Sequence, residues 1–552
     1  MYFDLRKKKV LIVDDFASFR LTLKNMVESM GSMDIDSVKS GESAIKHMRS
    51  NSYDIVLCDY NLGEGYKDGQ QVLEEARHRN LIRHSTIFIM LTAENTSPMV
   101  MGAVEYQPDD YLIKPITKEI LQIRIEKLIR QKEDFEDIEK AVNNKEYLRA
   151  ITLCDDRVKN RPQNTMEYLR LKSELAIKIG RYEDALSVFE EVLEIRELAW
   201  AKMGMGKAHF LTGDFLKAKN IFEEIIDENK AYMEAYDWLA KTLEELGSDE
   251  EAQKILLEAI EISPKSILRH KNIADISLKL NDLDTAEVAY QSAIDIGRNS
   301  CFKAASDYTG LAKVHVKKNS SQAALSILND ARNEFKGDHN ALLETAITES
   351  MTYKSINKDD KAKKALEKAS KQLKLIPGEV PTELIMDMSK VCFELGDNEK
   401  GLELLQDVVR NNHDNEKVLD KVGGIFKDAD MEQEGAKIIS SIKGEIINLN
   451  NAGVKLVQHE QLDEAVTYFE KAAEGLPGNK IIISNAAQAL LMHIQKNGKN
   501  DDYLFKASEH LERLRKIDPS DETYKELLTV YESISVAEEE EENKEVIKWE
   551  IQ

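Results

Sequence analysis

Asp14 and Asp15 stand side by side at the end of an apolar run, in "KKKVLIVDD". Asp59 closes a second such run, in "DIVLCDYN"; Thr92 closes a third, in "IMLTAEN"; Lys114 closes a fourth, in "DYLIKPI". Three carboxylates brought together cannot all stay ionised without a cation. An oxygen-rich, highly charged site suits Mg²⁺, which keeps several of its waters. A metal there would neutralise charge on a transferring phosphoryl group, and one carboxylate would be the nucleophile. Each residue alone has a plainer use, because Asp and Thr are favoured helix N-caps. The recurrence of polar residues at the ends of apolar runs is what points to chemistry.

The elements that must position them read as five short strands: "KVLIV", "MDIDSV", "DIVLC", "TIFIML" and "DYLIK". Amphipathic stretches such as "FASFRLTLKNMVESM" and "DGQQVLEEARHRN" lie between them. Such alternation predicts an α/β fold, a doubly wound five-stranded parallel sheet covered on both faces. Right-handed crossovers bring the C-terminal ends of all five strands to one edge, the edge that carries the site in such sheets.

This constellation resembles the receiver domain of two-component response regulators, over residues 8 to about 130. The resemblance implies the flavodoxin-like strand order 2-1-3-4-5. It makes Asp59 the phospho-acceptor, with Asp14 and Asp15 the acidic pair and Asp15 a direct Mg²⁺ ligand. It gives Asn61 a metal-binding backbone carbonyl, Thr92 a hydrogen bond to the phosphoryl group, and Lys114 the ammonium that pairs with the acceptor. It implies a cis bond between Lys114 and Pro115, and makes Tyr111 the aromatic switch that follows Thr92. Asn61 and Glu94 flank the acceptor and would set the lifetime of the phosphoryl group by orienting water. Two stretches depart from the pattern. "LGEGYKDG" runs two residues longer than usual before Gly69, and "VEYQPDDY" replaces a small-residue turn before the last strand. Neither removes a chemical residue.

After Pro115 the stretch "TKEILQIRIEKLIRQKEDFEDIEKAV" contains no Gly or Pro. It predicts one unbroken helix, stiff enough to act as a lever, with Ile120, Ile123 and Leu128 packing on the sheet. Beyond it the chain repeats itself: Ala150, Ala185, Ala218, Ala252 and Ala286 are spaced 35, 33, 34 and 34 residues apart. A Gly five residues before several of these alanines, and a trailing Pro, complete a pattern similar to tetratricopeptide repeats. Ala324, Ala362, Gly401, Gly435, Ala465 and Ala507 continue the register with drift. The expected organisation is a receiver at 1–130, a helical linker at 131–144, and an all-α repeat solenoid of about eleven hairpins at 145–530. An acidic tail at 531–552 ends with Trp549 close behind a run of glutamates. Stacked hairpins form a concave protein-binding groove, for which Tyr232, Trp238, His270 and Tyr308 are candidates.

The net charge of −24 is uneven. Residues 1–130 hold 18 Lys+Arg against 19 Asp+Glu, and the rest 58 against 81. An acidic surface repels nucleic acid and anionic lipid, so the expected partners are proteins: a histidine kinase or phosphotransfer protein, and a ligand of the groove. No apolar run is long enough to span a bilayer, and "MYFDLRKKK" lacks the apolar stretch of a signal peptide. The four dispersed cysteines fit reduced core residues of a cytoplasmic protein. Apart from the receiver's own phosphoryl chemistry, the sequence carries no enzyme signature. The expected function is a response regulator that takes a phosphoryl group on Asp59 with Mg²⁺ and thereby gates protein binding by the repeats. The alternative is a phosphate sink or kinase inhibitor that acts by docking, independent of phosphorylation.

Overall fold

Short apolar β-branched runs can be buried on both faces only inside a parallel sheet. The computed structural model describes residues 5–535, apart from 64, 84, 94–107, 133–134, 161–163, 377–379 and 499. Its strands are β1 (Lys9–Val13), β2 (Asp34–Val38), β3 (Ile55–Asp59), β4 (Ile87–Thr92) and β5 (Asp110–Ile113). They pair in parallel in the order β2-β1-β3-β4-β5. The helices around them are α1 (Ala17–Ser29), α2 (Gly41–Ser50), α3 (Gly69–His78) and α4 (Lys118–Lys132). Alternate strand residues face opposite layers. Leu11, Val56, Cys58 and Phe88 pack with Ile45, Val72 and Leu73 of α2 and α3. Val10, Ile12, Leu57 and Ile89 pack with Leu23, Val27, Leu121 and Ile125 of α1 and α4. Each buried aliphatic side chain contributes about 2 kcal/mol, so two full layers hold the strand ends in register.

The expected unbroken helix is corrected. Helix α4 ends at Lys132, and a separate helix α5 spans Glu136–Asn143. Phe135 opens the second helix with its side chain buried and its ring 4.8 Å from that of Tyr168. Ile138 and Ala141 of α5 are also buried, and α5 packs on α6 (Tyr147–Asn160) as a helical hairpin instead of bridging as a free spacer. The stripe of α4 that faces the sheet is Leu121, Ile125 and Leu128. Ile120 and Ile123, expected in that stripe, are 46% and 65% exposed.

The remaining described helices form successive hairpins. Each hairpin turn needs one residue with positive φ, and the chain supplies it at Lys145, Gly180, Gly213, Gly247, Asn281, Asn319, Asn357, Gly396, Asp430, Glu460 and Gly498. Ten of these stand five residues before the small residues Ala150 to Ala465 of the sequence register. Glu432–Gln458 is a single 27-residue helix that serves two consecutive hairpins. The acidic end beyond Ser535, with Trp549, lies outside the described residues.

The chain divides into two compact units, Met1–Leu175 with Tyr182–Asp307, and Ala176–Arg181 with Tyr308–Gln552. In the first, Arg269 is fully buried and bound in a bidentate pair by Asp237, with Nε–Oδ1 at 2.8 Å and Nη2–Oδ2 at 2.9 Å. In the second, Leu343, Ile347, Leu366, Met388 and Val391 form one core cluster. His270, a groove candidate by sequence, belongs to the core: it is buried, with Nε2 2.9 Å from the Pro264 carbonyl. Trp238 is half-buried, stacks edge-on against Phe210 at 5.3 Å and lies under the Lys241 ammonium. Tyr232 and Tyr308 are half-buried. Among the described residues no helix is long and apolar enough to cross a membrane.

Candidate functional site

The parallel register brings the polar residues to one edge. Val13 of β1 lies opposite Cys58 of β3, so the next residues along, Asp14 and Asp59, emerge together. Asp59 in turn pairs with Leu91, the residue before Thr92, and Thr92 pairs with Ile113, the residue before Lys114. Asp14 is fully buried, Asp59 is 5% exposed, Thr92 is buried and Asp15 is exposed. One carboxylate oxygen from each of Asp14, Asp15 and Asp59 lies within 4.8 Å of the others. Lys114 Nζ donates to Asp14 Oδ2 and to Asp59 Oδ2, both at 2.8 Å.

Local structure holds each group in place. The Asp14 carboxylate accepts from the Phe16 amide at 2.8 Å, which turns the chain into α1. Arg20 Nη1 donates to the carbonyls of Asp14 (2.6 Å) and Asp15 (2.9 Å). The Lys114 ammonium lies 4.2 Å from the ring centroid of Phe19, a cation–π contact. Neither Phe19 nor Arg20 was singled out by sequence. The available signal was their position, one helical turn after the acidic pair. The Lys114 amide donates to the Thr92 carbonyl at 2.7 Å, and the Lys114–Pro115 bond is cis. Tyr111 is half-buried and packs against the cluster that holds Phe88 and Met90. Asn61 is exposed two residues after Asp59, and its Oδ1 accepts from the Gly63 amide. Glu94 lies outside the described residues.

Burial is the main force on the Asp59 carboxyl and, with Asp14 beside it, pushes its pKa up to about 6 against the pull of Lys114. Burial alone would lower the Lys114 ammonium, but its two carboxylate partners outweigh that and raise it. The result is an anionic cluster, buried at Asp14 and Asp59 and open at Asp15, with the Lys114 ammonium fixed inside it. Three convergent carboxylates suit a hard divalent ion. The Lys114 ammonium is placed to pair with charge added at Asp59.

Residues 10–126 match the family model of the response regulator receiver domain, and residues 234–266 match that of the tetratricopeptide repeat. The chain is 33% identical over 120 residues to a probable chemotaxis protein CheY of Rhizobium etli, spanning 22% of this chain and 91% of that one. It is 28% identical over 123 residues to the chemotaxis protein CheY of Pseudomonas aeruginosa, spanning 22% and 97% respectively. A tetratricopeptide repeat protein structure from Parabacteroides merdae covers 47% of this chain and 98% of its own, at 15% identity and a TM-score of 0.34.

Proposed function

The chain belongs to the response regulator receiver family through residues 10–126, and from that premise we propose that it accepts a phosphoryl group on Asp59 and uses it to gate protein binding by its tetratricopeptide repeats. The observation that carries this reading is the Lys114 ammonium shared by Asp14 and Asp59 inside the three-carboxylate cluster. A donor histidine kinase or phosphotransfer protein presents a phosphohistidine. An Asp59 carboxylate oxygen attacks phosphorus, the P–N bond breaks, and its electron pair leaves with the imidazole, which takes up a proton. Lys114 offsets the charge that arrives at Asp59, and the Thr92 hydroxyl is the hydrogen-bond donor to the new oxygens. Asp14, Asp15, Asp59 and the Asn61 carbonyl would hold Mg²⁺, which when bound supplies charge neutralisation for the transfer. Thr92 and Tyr111 form the switch that reads the modification. The repeats are the output, with no enzymatic step of their own.

The test is a quantitative pull-down from cell lysate with Mg²⁺ and beryllofluoride present or absent, with Asp59→Asn as the control. Beryllofluoride stands in for the phosphoryl group. A partner whose capture changes with the mimic in the wild type alone supports the gated adaptor. Equal capture in every condition overturns it in favour of docking independent of phosphorylation.

A further inference from the structure

Charge is unevenly spread within the repeats. Residues 131–552 hold 58 Lys+Arg against 81 Asp+Glu, yet residues 313–374 among them hold 13 against 8. The excess is densest in "KAKKALEKASKQLK", residues 361–374, where six lysines stand with one acid, Glu367. Nearly all of this stretch lies in the helix Asp359–Leu373. That helix buries Ala362, Ala365, Leu366 and Ala369, which leaves all six lysines exposed. Lys364 and Lys368 are four residues apart, a spacing at which like charges destabilise a helix. An anion laid along the row would reverse the sign of that effect.

The helix borders a cleft of about 350 Å³. Arg332, Lys336 and Lys368 stand around it, Leu342 and Ala346 line it, and none of the described residues lining it is acidic. Glu349, 8% exposed, orients two of the cations: it accepts from Arg332 and lies 3.8 Å from Lys368 Nζ. All of these residues belong to the second compact unit. Apolar walls under a cationic rim suit a ligand with an apolar body and negative flanks. Cations over an aromatic face are attracted to it as well. The volume is at the lower end of ligand-sized sites, roughly 300–1,000 Å³, and has room for one indole.

The chain itself carries a segment of that chemistry. Beyond Ser535 it reads "VAEEEEENKEVIKWEIQ", with seven acids, two lysines and Trp549 next to Glu550. Trp549 stands 14 residues past Ser535, a reach of up to roughly 50 Å when extended. We propose that the basic cleft beside the helix Asp359–Leu373 binds the acidic segment 536–552, with Trp549 in the cleft among Arg332, Lys336 and Lys368 and the glutamates along the lysine row. The segment of the same molecule and that of a second copy offer identical chemistry, and dilution separates the two sources. The proposal does not depend on the role of Asp59.

The test labels the lysines of the full chain with a limiting amine-reactive reagent and reads each one by mass spectrometry. The variant carries Gln at all five glutamates, Glu538→Gln through Glu542→Gln, together with Trp549→Ala, and leaves every described residue unchanged. In the wild type Lys336, Lys364, Lys368 and Lys371 are expected to react roughly fivefold more slowly than in the variant, about what a few exposed ion pairs supply together. Lys254, 78% exposed on another helix, is expected to react alike in both. A synthetic peptide of residues 536–552 is expected to restore protection in the variant, and salt at about 1 M to remove it. Trp549→Ala alone is expected to free Lys336 and Lys368 at the cleft. Protection that survives dilution assigns the segment to the same molecule, and protection lost on dilution assigns it to a second copy. Equal rates in wild type and variant would overturn the proposal. Equal protection by a polyglutamate peptide without tryptophan would overturn the part given to Trp549.

Discussion

Gly69 opens α3 directly against the end of β3. A Cβ added there would lie 2.1 Å from the Asp59 carbonyl oxygen and 2.9 Å from Tyr60 Cα, where ordinary contact starts at 3.4 Å. Both obstacles are backbone, so no rotamer change relieves them. In Gly69→Ala the helix must retreat by more than an ångström, and Val72, Leu73 and Ala76, all fully buried, retreat with it. Overpacking of this kind costs about 3 kcal/mol, and alanine returns at most about 1 kcal/mol of helix propensity. The net loss is about 2 kcal/mol, a roughly 30-fold change in an opening equilibrium. The assay is hydrogen exchange of the full chain, read at the amides of Val56, Leu57 and Cys58 on β3. These are expected to exchange about 30-fold faster in the variant, since exchange follows the local opening free energy. Rates within twofold of wild type would refute the claim that α3 is seated on β3 with no room to spare.

Two further outcomes follow from buried charge in the repeats. Asp237→Ala leaves the fully buried Arg269 guanidinium without its bidentate partner. It is expected to cost about 3 kcal/mol in urea unfolding, while Asp249→Ala, whose partner Lys279 is 60% exposed, costs far less; equal effects would contradict the packing described. His270 is held below the ordinary histidine value of 6.5, first by burial and then by Arg269 beside it, despite its bond to the Pro264 carbonyl. A depressed pKa contributes stability above 6.5 that is lost as pH falls below it. Between pH 7.5 and 5.5 the wild type is therefore expected to lose stability that His270→Gln does not, and parallel pH profiles would refute the assignment.

The sheet was legible because its signal is local. Each strand is a short apolar run whose end carries its polar residue, and parallel topology converts run ends into one edge. The Asp14–Asp59–Lys114 contact follows from that rule alone. Phe19 and Arg20 were illegible because their roles depend on the side-chain direction of one helical turn, which type and spacing do not give. The helix break at Phe135 was missed for a related reason. Nothing in "RQKEDFEDI" disfavours helix, and the burial of the Phe135 ring against Tyr168 is a tertiary gain that propensity does not register. His270 looked like a groove residue because helical phase does not separate a concave face from a core. The drifting middle repeats held a signal that went unused. Asn281, Asn319, Asn357 and Asp430 occupy the left-handed turn position that Gly213, Gly247 and Gly396 occupy elsewhere. Asn and Asp tolerate that conformation better than other side chains. Reading Gly, Asn and Asp as one class would have carried the register through residues 281–430.

The break at Phe135 also bears on how a change at Asp59 would reach the repeats. A continuous rod from Pro115 would carry the displacement of Lys114 along one helix. That route ends at Lys132, where the side chain is held by Asp109 at 2.7 Å and by the Thr86 carbonyl at 2.6 Å. Both partners belong to the sheet side, so the end of α4 is pinned to the domain it would have to move against. A second connection lies in the segment after β3, where the Tyr60 amide donates to the Leu91 carbonyl and the Gly69 amide to the Tyr60 carbonyl. Farther along the same segment Asn299 Nδ2 donates to the Gly65 carbonyl and Lys67 Nζ donates to the Asn299 carbonyl. Those bonds join the receiver to the repeats directly, whereas the helix route ends at a side chain fixed to the sheet side.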